Sequence, residues 1–232
     1  MAKEIVQIIS DTQYPFSHPD HLPFLEAVKD RYQPTQVVHI GDEVDFHALS
    51  DYDPDPDGDS AGREFKRAME DMQRLYEVFP EVKACISNHT ARPFRRAYKY
   101  GIPKAFLREY AEFLAAPKGW QWQRKYVIDD VAYEHGEGCS GKLGHLKAAE
   151  QNMQSTVIGH IHSHAGVAYG ANPKLLYFGM NVGCLIDKDA YAFAYGTNMK
   201  TKPVLGCGVV VQGIPTFIPM VLKKGGRWVG KV

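Results

Sequence analysis

Short apolar runs rich in β-branched residues recur along the chain, and most of them stop abruptly at a polar cluster. Glu4-Ile-Val-Gln-Ile-Ile-Ser10 reads as a buried first strand ending at Asp11. Gln36-Val-Val-His-Ile40 predicts a second strand ending at Gly41-Asp42, and Val82-Lys-Ala-Cys-Ile86 a third ending at Ser87-Asn88-His89. Thr156-Val-Ile158 leads into Gly159-His160, and residues 175–178 lead into Asn181. Residues 125–134 predict a hairpin around Asp129-Asp130 that ends at His135. Residues 209–212 and 216–222 predict a terminal hairpin flanking Gly213-Ile214-Pro215. Helical spacing marks three further segments. Leu22, Leu25, Val28 and Tyr32 share one side of 22–32, and Phe65, Met69, Met72, Tyr76 and Phe79 repeat along 61–79. Pro103 suits a first helical turn, with Phe106, Leu107, Tyr110 and Leu114 facing inward. Strands and helices alternate early and strands dominate late. The pattern therefore predicts an α/β protein with two sheets packed face to face and helices outside.

Composition narrows the class. The chain has 232 residues, 44% of them hydrophobic, with no linker-like shift, which suits a single domain over 1–232. Lys plus Arg (27) equals Asp plus Glu (27), so the molecule as a whole is no polyanion sponge. Cys85, Cys139, Cys184 and Cys207 lack CxxC spacing, no signal peptide follows Met1, and no apolar stretch approaches membrane-spanning length. A reducing cytoplasm is the expected setting, with no membrane partner.

Five polar motifs stand in fixed order: Asp11-Thr12-Gln13, Gly41-Asp42-Glu43-Val44-Asp45, Asn88-His89, His135-Gly136 and Gly159-His160-Ile161-His162. All but the fourth directly follow an apolar run. That places carboxylate, amide and imidazole groups at strand ends, the usual position of α/β sites. A mixed Asp/Asn/His set suits Mn²⁺, Fe or Zn²⁺ better than Ca²⁺. Two ions about 3.5–4 Å apart need a bridging carboxylate. Asp42 fits, because Gly41 lets the backbone turn sharply. A turn after Gly159 could aim His160 and His162 at different ions.

These motifs resemble those of the calcineurin-like metallophosphoesterase superfamily, which run DxH, GDxxD, GNH(D/E), H and GHxH. The resemblance spans residues 5–181 and implies a four-layer α/β/β/α sandwich of two mixed sheets. It implies that Asp11 and His162 hold a first divalent metal ion, with Gln13 standing where the family has histidine. Asp42 would bridge, and Asn88, His135 and His160 would hold a second ion. Mn²⁺ is the leading expectation, with Fe, Zn²⁺ or Mg²⁺ as alternatives. His89 would hydrogen-bond the phosphate or the leaving group, oriented by Asp45. The implied activity is in-line hydrolysis of a phosphate ester, with His89 assisting the departing alkoxide. Two departures stand out. The amide of Gln13 is a poorer ligand than imidazole, which implies either a weaker or more Mn²⁺/Mg²⁺-like first site, or a Gln13 that only hydrogen-bonds a metal-bound water. Ser87-Asn88-His89-Thr90 replaces Gly-Asn-His-Asp/Glu, and it resembles phage and bacterial members, as does Ser10-Asp-Thr-Gln-Tyr14. Asn181-Val182-Gly183-Cys184 resembles the supporting Asn-Pro-Gly-Ser stretch of small members.

Arg92, Arg95, Arg96, Lys99, Lys104 and Arg108 follow His89 without an intervening acid, and Phe94, Tyr98, Tyr100 and Phe106 are interleaved. Such a stretch is either a solvated face over core aromatics or a grip for a nucleotide or single-stranded nucleic acid. Arg92, Arg95 and Arg96 are the candidate substrate-binding residues, and the expected substrate leans to phosphodiesters. The rival expectations are a small-molecule or protein phosphatase of the same fold, and a non-enzymatic polyanion-binding module. Asp53, Asp55, Asp57, Gly58 and Glu64 match a calcium-loop pattern. Pro54, Pro56, Ser60 and the lack of an entering helix instead favour an acidic loop capping the next helix. Of His18, His21 and His47, at least two read as ordinary surface residues, and His39 as a buried strand histidine.

Overall fold

The computed structural model describes residues 4–51, 57–190 and 202–232. The first half supplies β1 (Ile5–Ile9), α1 (His21–Tyr32), β2 (Gln36–His39), α2 (Ala61–Val78), β3 (Glu81–Cys85), α3 (Arg92–Lys99), α4 (Tyr110–Phe113) and β4 (Gly119–Gln123). The second half supplies β5 (Lys125–Ile128), β6 (Val131–Glu134), α5 (Gly144–Asn152), β7 (Thr156–Ile158), β8 (Gly166–Asn172), β9 (Leu175–Asn181), β10 (Gly206–Val211) and β11 (Ile214–Pro219). One sheet has the order β11-β10-β1-β2-β3-β4, with β1 to β4 parallel and the β10–β11 hairpin antiparallel. The other has the order β5-β6-β7-β9-β8, with β6, β7 and β9 parallel between antiparallel edges. Among the described residues no helix is long and apolar enough to cross a membrane.

The period of two along each strand decides the layers. Val6 and Ile8 of β1, with Val38, Ile40 and Cys85, pack against Tyr133, Val157, Phe178 and Met180 of the second sheet. Ile9, Val82, Ala84 and Val209 face the other way, onto Phe24, Leu25 and Val28 of α1 and Ala68, Met72 and Leu75 of α2. On the far side α5 covers β7, β8 and β9, with Ala148 packed near Ile158. The result is the four-layer α/β/β/α sandwich. Each fully buried Leu, Ile or Phe in it contributes roughly 1.5–3 kcal/mol.

Local chemistry sets the boundaries. Ser60 caps α2, its hydroxyl accepting from Arg63 N–H at 3.4 Å. Asp129 and Asp130 both have positive φ, as a two-residue hairpin turn requires. The terminal hairpin turns at Gln212-Gly213, both also at positive φ, so Pro215 lies in β11, an edge strand that tolerates a missing donor. The helix expected after Pro103 is instead a 3₁₀ turn (Lys104–Phe106) followed by the single-turn α4. Leu114 is buried, but Phe106 is 79% exposed, because no described residue covers it on this edge. The sequence pattern predicts no β4, α5 or β8, whereas α3 falls in the 92–108 stretch that can be read as a solvated helix face. Of the calcium-loop pattern, residues 53–56 lie outside the described residues. Glu64 is buried and accepts from the N–H groups of His47 (2.6 Å) and Ala48 (2.8 Å). His18, His21 and His47 are buried, not surface residues. His21 bridges Tyr14 Oη at 2.8 Å and His18 O at 2.6 Å.

Candidate metal centre

The carboxyl ends of β1, β2 and β3 meet those of β6 and β7 at one edge of the sandwich, and each chain segment turns sharply there. Asp11, Gln13, Asp42 and His160 all have positive φ, which is costly for residues with a Cβ and concentrates at functional sites. The loops after β1 and β2 are laced by backbone bonds, Gln13 N–H to Asp42 O (2.9 Å) and Asp45 N–H to Tyr14 O (3.0 Å). Gly41, at φ +100°, passes so close to β3 that a Cβ would meet Ser87 Cβ at 2.5 Å. A Cβ at Gly159 would collide with Ser10 Oγ and Asp11 Oδ2. Both positions need glycine for the strand ends to approach.

Seven side chains come together in a continuous line of contacts. His162 Nε2 lies 2.8 Å from Asp11 Oδ1 and 3.2 Å from Gln13 Nε2. Gln13 Nε2 lies 3.3 Å from Asp42 Oδ2, which is 3.4 Å from His135 Nε2. His135 Nε2 is 2.7 Å from Asn88 Oδ1 and 3.2 Å from His160 Nδ1. Two groups could each hold a metal ion: Asp42, His135 and His160, and Asp11, Asp42 and His162, with donor atoms within 4.8 Å of one another in each. Asp42 belongs to both. Asp11, Gln13, Asp42 and His135 are buried.

The hydrogen-bond inventory shows what this donor set lacks. His135 Nδ1–H donates to Ile40 O at 2.9 Å, so in the neutral ring Nε2 is a lone pair. That lone pair faces the Asn88 and Asp42 oxygens, acceptor against acceptor. The buried Oε1 of Gln13 has no hydrogen-bond partner among the described residues. Burial alone would raise the Asp42 carboxyl, but the charges of His135 and His89 outweigh it and hold it well below the usual carboxylate range. Burial disfavours charge on His135 too, yet Asp42 prevails and pushes it up to about 9. Asp11 is lowered, since His162 offsets its burial. A proton on His135 is one way to relieve this crowd of acceptors, and a cation is the other. The mixed carboxylate, imidazole and amide donors fit a pair of divalent ions.

His89 stands beside this set. Its Nδ1 is 2.5 Å from Asp45 Oδ1 and its Nε2 is 3.9 Å from Asp42 Oδ2. Its backbone N–H donates to Asp42 Oδ1 at 3.1 Å. Burial opposes charging of His89, but Asp42 and Asp45 raise its pKa. Arg92 packs over the pair, donating to Asp45 O at 2.7 Å and lying 3.2 Å from His89 Nε2. Arg95 and Arg96 lie further out. Arg96 donates to Leu49 O (2.8 Å) and Ser50 O and pairs with Asp51, and Arg95 reaches Asp51 at 3.6 Å.

Several residues that matter here carried no periodic signal. Ser10 Oγ donates to Asp11, and Ser87 Oγ accepts from Asp42 N–H at 2.7 Å. Glu43, fully buried and raised by burial to about 7, accepts from Thr90 Oγ and from Trp122 Nε1–H at 2.9 Å. Small hydroxyls directly before strand-end ligands are the one cue that the sequence offered. Asn181, at the end of β9, donates to Ile161 O (2.9 Å) and His164 O (2.8 Å) and accepts from Gly183 N–H (3.0 Å). It thereby clamps the loop that carries His160 and His162.

No protein-family model matches the chain. It is similar to the Gene 54 protein of Mycobacterium phage D29, 26% identical over 268 residues, with 98% of this chain and 96% of that one covered. The Gene 54 protein of Mycobacterium phage L5 is 27% identical over 266 residues with the same coverage. Among solved structures, Yfce, a phosphoesterase from E. coli, aligns at 15% identity and TM-score 0.44, over 89% of this chain and 88% of that one. Vacuolar Protein Sorting 29 from Cryptosporidium parvum aligns at 12% identity and TM-score 0.42, over 93% and 96%.

Proposed function

We propose that the chain is a metal-dependent phosphoric ester hydrolase of the calcineurin-like metallophosphoesterase superfamily. The observation that carries this is the pair of acid–histidine groups sharing Asp42, with a His89–Asp45 pair alongside. A purely structural metal site needs no such neighbour. On this reading Asp11, Gln13, Asp42 and His162 would hold one divalent ion, and Asp42, Asn88, His135 and His160 the other. When bound, the ions would lower the pKa of water and neutralise charge on phosphoryl oxygens.

The chain's own groups do the rest. Asp45 accepts the Nδ1 proton of His89, fixing the tautomer and turning Nε2 toward the Asp42 side. The raised pKa of His89 favours the protonated ring, which can hand a proton to a departing alkoxide. Arg92 cannot lose its proton, so it keeps positive charge beside that ring and favours an anion there. Rotating the Gln13 amide by half a turn would exchange its two ends and bring the partnerless Oε1 to face Asp42 and His162.

The test is hydrolysis of bis-p-nitrophenyl phosphate with added Mn²⁺, Zn²⁺ or Mg²⁺, wild type against His89→Ala. Metal-dependent turnover that falls at least 100-fold in the variant is expected, since general acid catalysis contributes roughly 10²–10⁴. No turnover of any mono- or diester with any of these metals would overturn the assignment.

A further inference from the structure

A cleft of about 680 Å³ opens beside the metal centre, between α3, α4 and β4. Asn88 lines it and also sits 2.7 Å from His135 Nε2, so one residue belongs to both. The volume falls within the range of small-molecule sites, roughly 300–1,000 Å³. Aromatic rings form one part of its wall, and the carboxylates of Glu109 and Glu137 line it as well. Phe94 and Tyr110 lie 4.7 Å apart, and Tyr110 stacks on Trp122 at 6.3 Å with an interplanar angle of 18°. Tyr98 is 50% exposed, and Arg95 and Arg124 stand at the rim. The Trp122 ring is held in place, because its indole N–H donates to buried Glu43, the residue after Asp42.

We propose that this cleft holds the base of a nucleotide phosphoester whose phosphate lies at Asn88. Partly exposed rings beside guanidinium groups recognise planar π systems by stacking and cation–π contact, whatever the base. Simple sugar or alkyl esters offer nothing for these rings to stack on. The position of the phosphate rests on the hydrolase reading, and the identity of its neighbour rests on the cleft alone.

Calorimetry separates the two. Adenosine 5′-monophosphate and ribose 5-phosphate are titrated into Mn²⁺-loaded protein carrying His89→Asn to slow turnover. The nucleotide is expected to bind about tenfold tighter or more, given typical base–aromatic stacking. Tyr98→Ala or Arg124→Ala, added to that background, should erode the ratio at least threefold. Both side chains are exposed, and circular dichroism checks that the fold is kept. A ratio within twofold, or one that survives both substitutions, overturns the proposal. Wild-type turnover of bis-p-nitrophenyl phosphate without base preference overturns the cleft and leaves the hydrolase, and base preference without turnover does the reverse. Thymidine 5′-monophosphate against a thymidylate octamer distinguishes the source of the base. Equal affinity marks free nucleotides, and a much tighter octamer with steep salt dependence marks a strand.

Discussion

Asn181→Leu should be among the most damaging single changes outside the proposed ligands. The side chain is fully buried, and leucine keeps its branched heavy-atom shape but is bulkier, so any overpacking adds to the loss of stability. What is lost outright is hydrogen bonding. The N–H of Gly183 and the carbonyl of Ile161 lose their partner in a buried setting, and His164 O loses one in a half-buried setting. A buried polar group left without a partner costs about 1–3 kcal/mol. Two such groups and a partly hydrated third sum to roughly 3–6 kcal/mol, a large share of the stability of an ordinary domain. Urea unfolding with and without Mn²⁺ reads this directly. The variant should lose that much stability in EDTA. It should also gain less from Mn²⁺ than wild type does, because the loop presenting His160 and His162 is no longer held. A loss under about 1 kcal/mol with an unchanged response to metal would refute the clamp.

Three further outcomes are expected. Saturating Mn²⁺ at about 100 times its Kd should stabilise the fold by about 2.7 kcal/mol, raising Tm by roughly 5–10 °C in a scanning experiment, and Asp42→Asn should remove most of that rise. Gln13→His should tighten binding of one ion, read by calorimetry, and an unchanged affinity and stoichiometry would remove Gln13 from the ligand set. Burial pulls His21 down to about 4 from an ordinary 6.5, so it stays neutral in the folded chain. Its contribution to stability is then complete above pH 6.5 and is lost as pH falls from 6.5 toward 4, where only the unfolded ring takes a proton. NMR titration should find this ring neutral at pH 5, and a midpoint near 6.5 would disprove it.

The strands that end at the centre were legible because their apolar runs give way to polar residues within a residue or two of their ends. β1, β2 and β7 show that break plainly, and the residues after them are the ones that converge. The missed elements have physical reasons too. α5 buries Gly144, Ala148 and Ala149, side chains too small to register as an apolar face. β8 is a sheet edge built largely of Gly, Ala and Asn, with little to bury. α3 reads as a charged run because Ala97 alone is buried in it. The segment after Pro103 had the right spacing for a helix, but spacing cannot tell whether a neighbour exists for Phe106 to pack against. Asn181 stands out in the sequence only as part of a motif, since its clamping of Ile161 and His164 depends on a crossover that no local pattern encodes.

The proposed ligands divide between the two sheets. Asp11, Gln13, Asp42 and Asn88 come from the first, and His135, His160 and His162 from the second. Neither half of the chain therefore holds a complete acid–histidine group by itself. A molecule nicked between β4 and β5 would take up ions only after its fragments had reassociated, which makes ion uptake a clock for the last step of assembly.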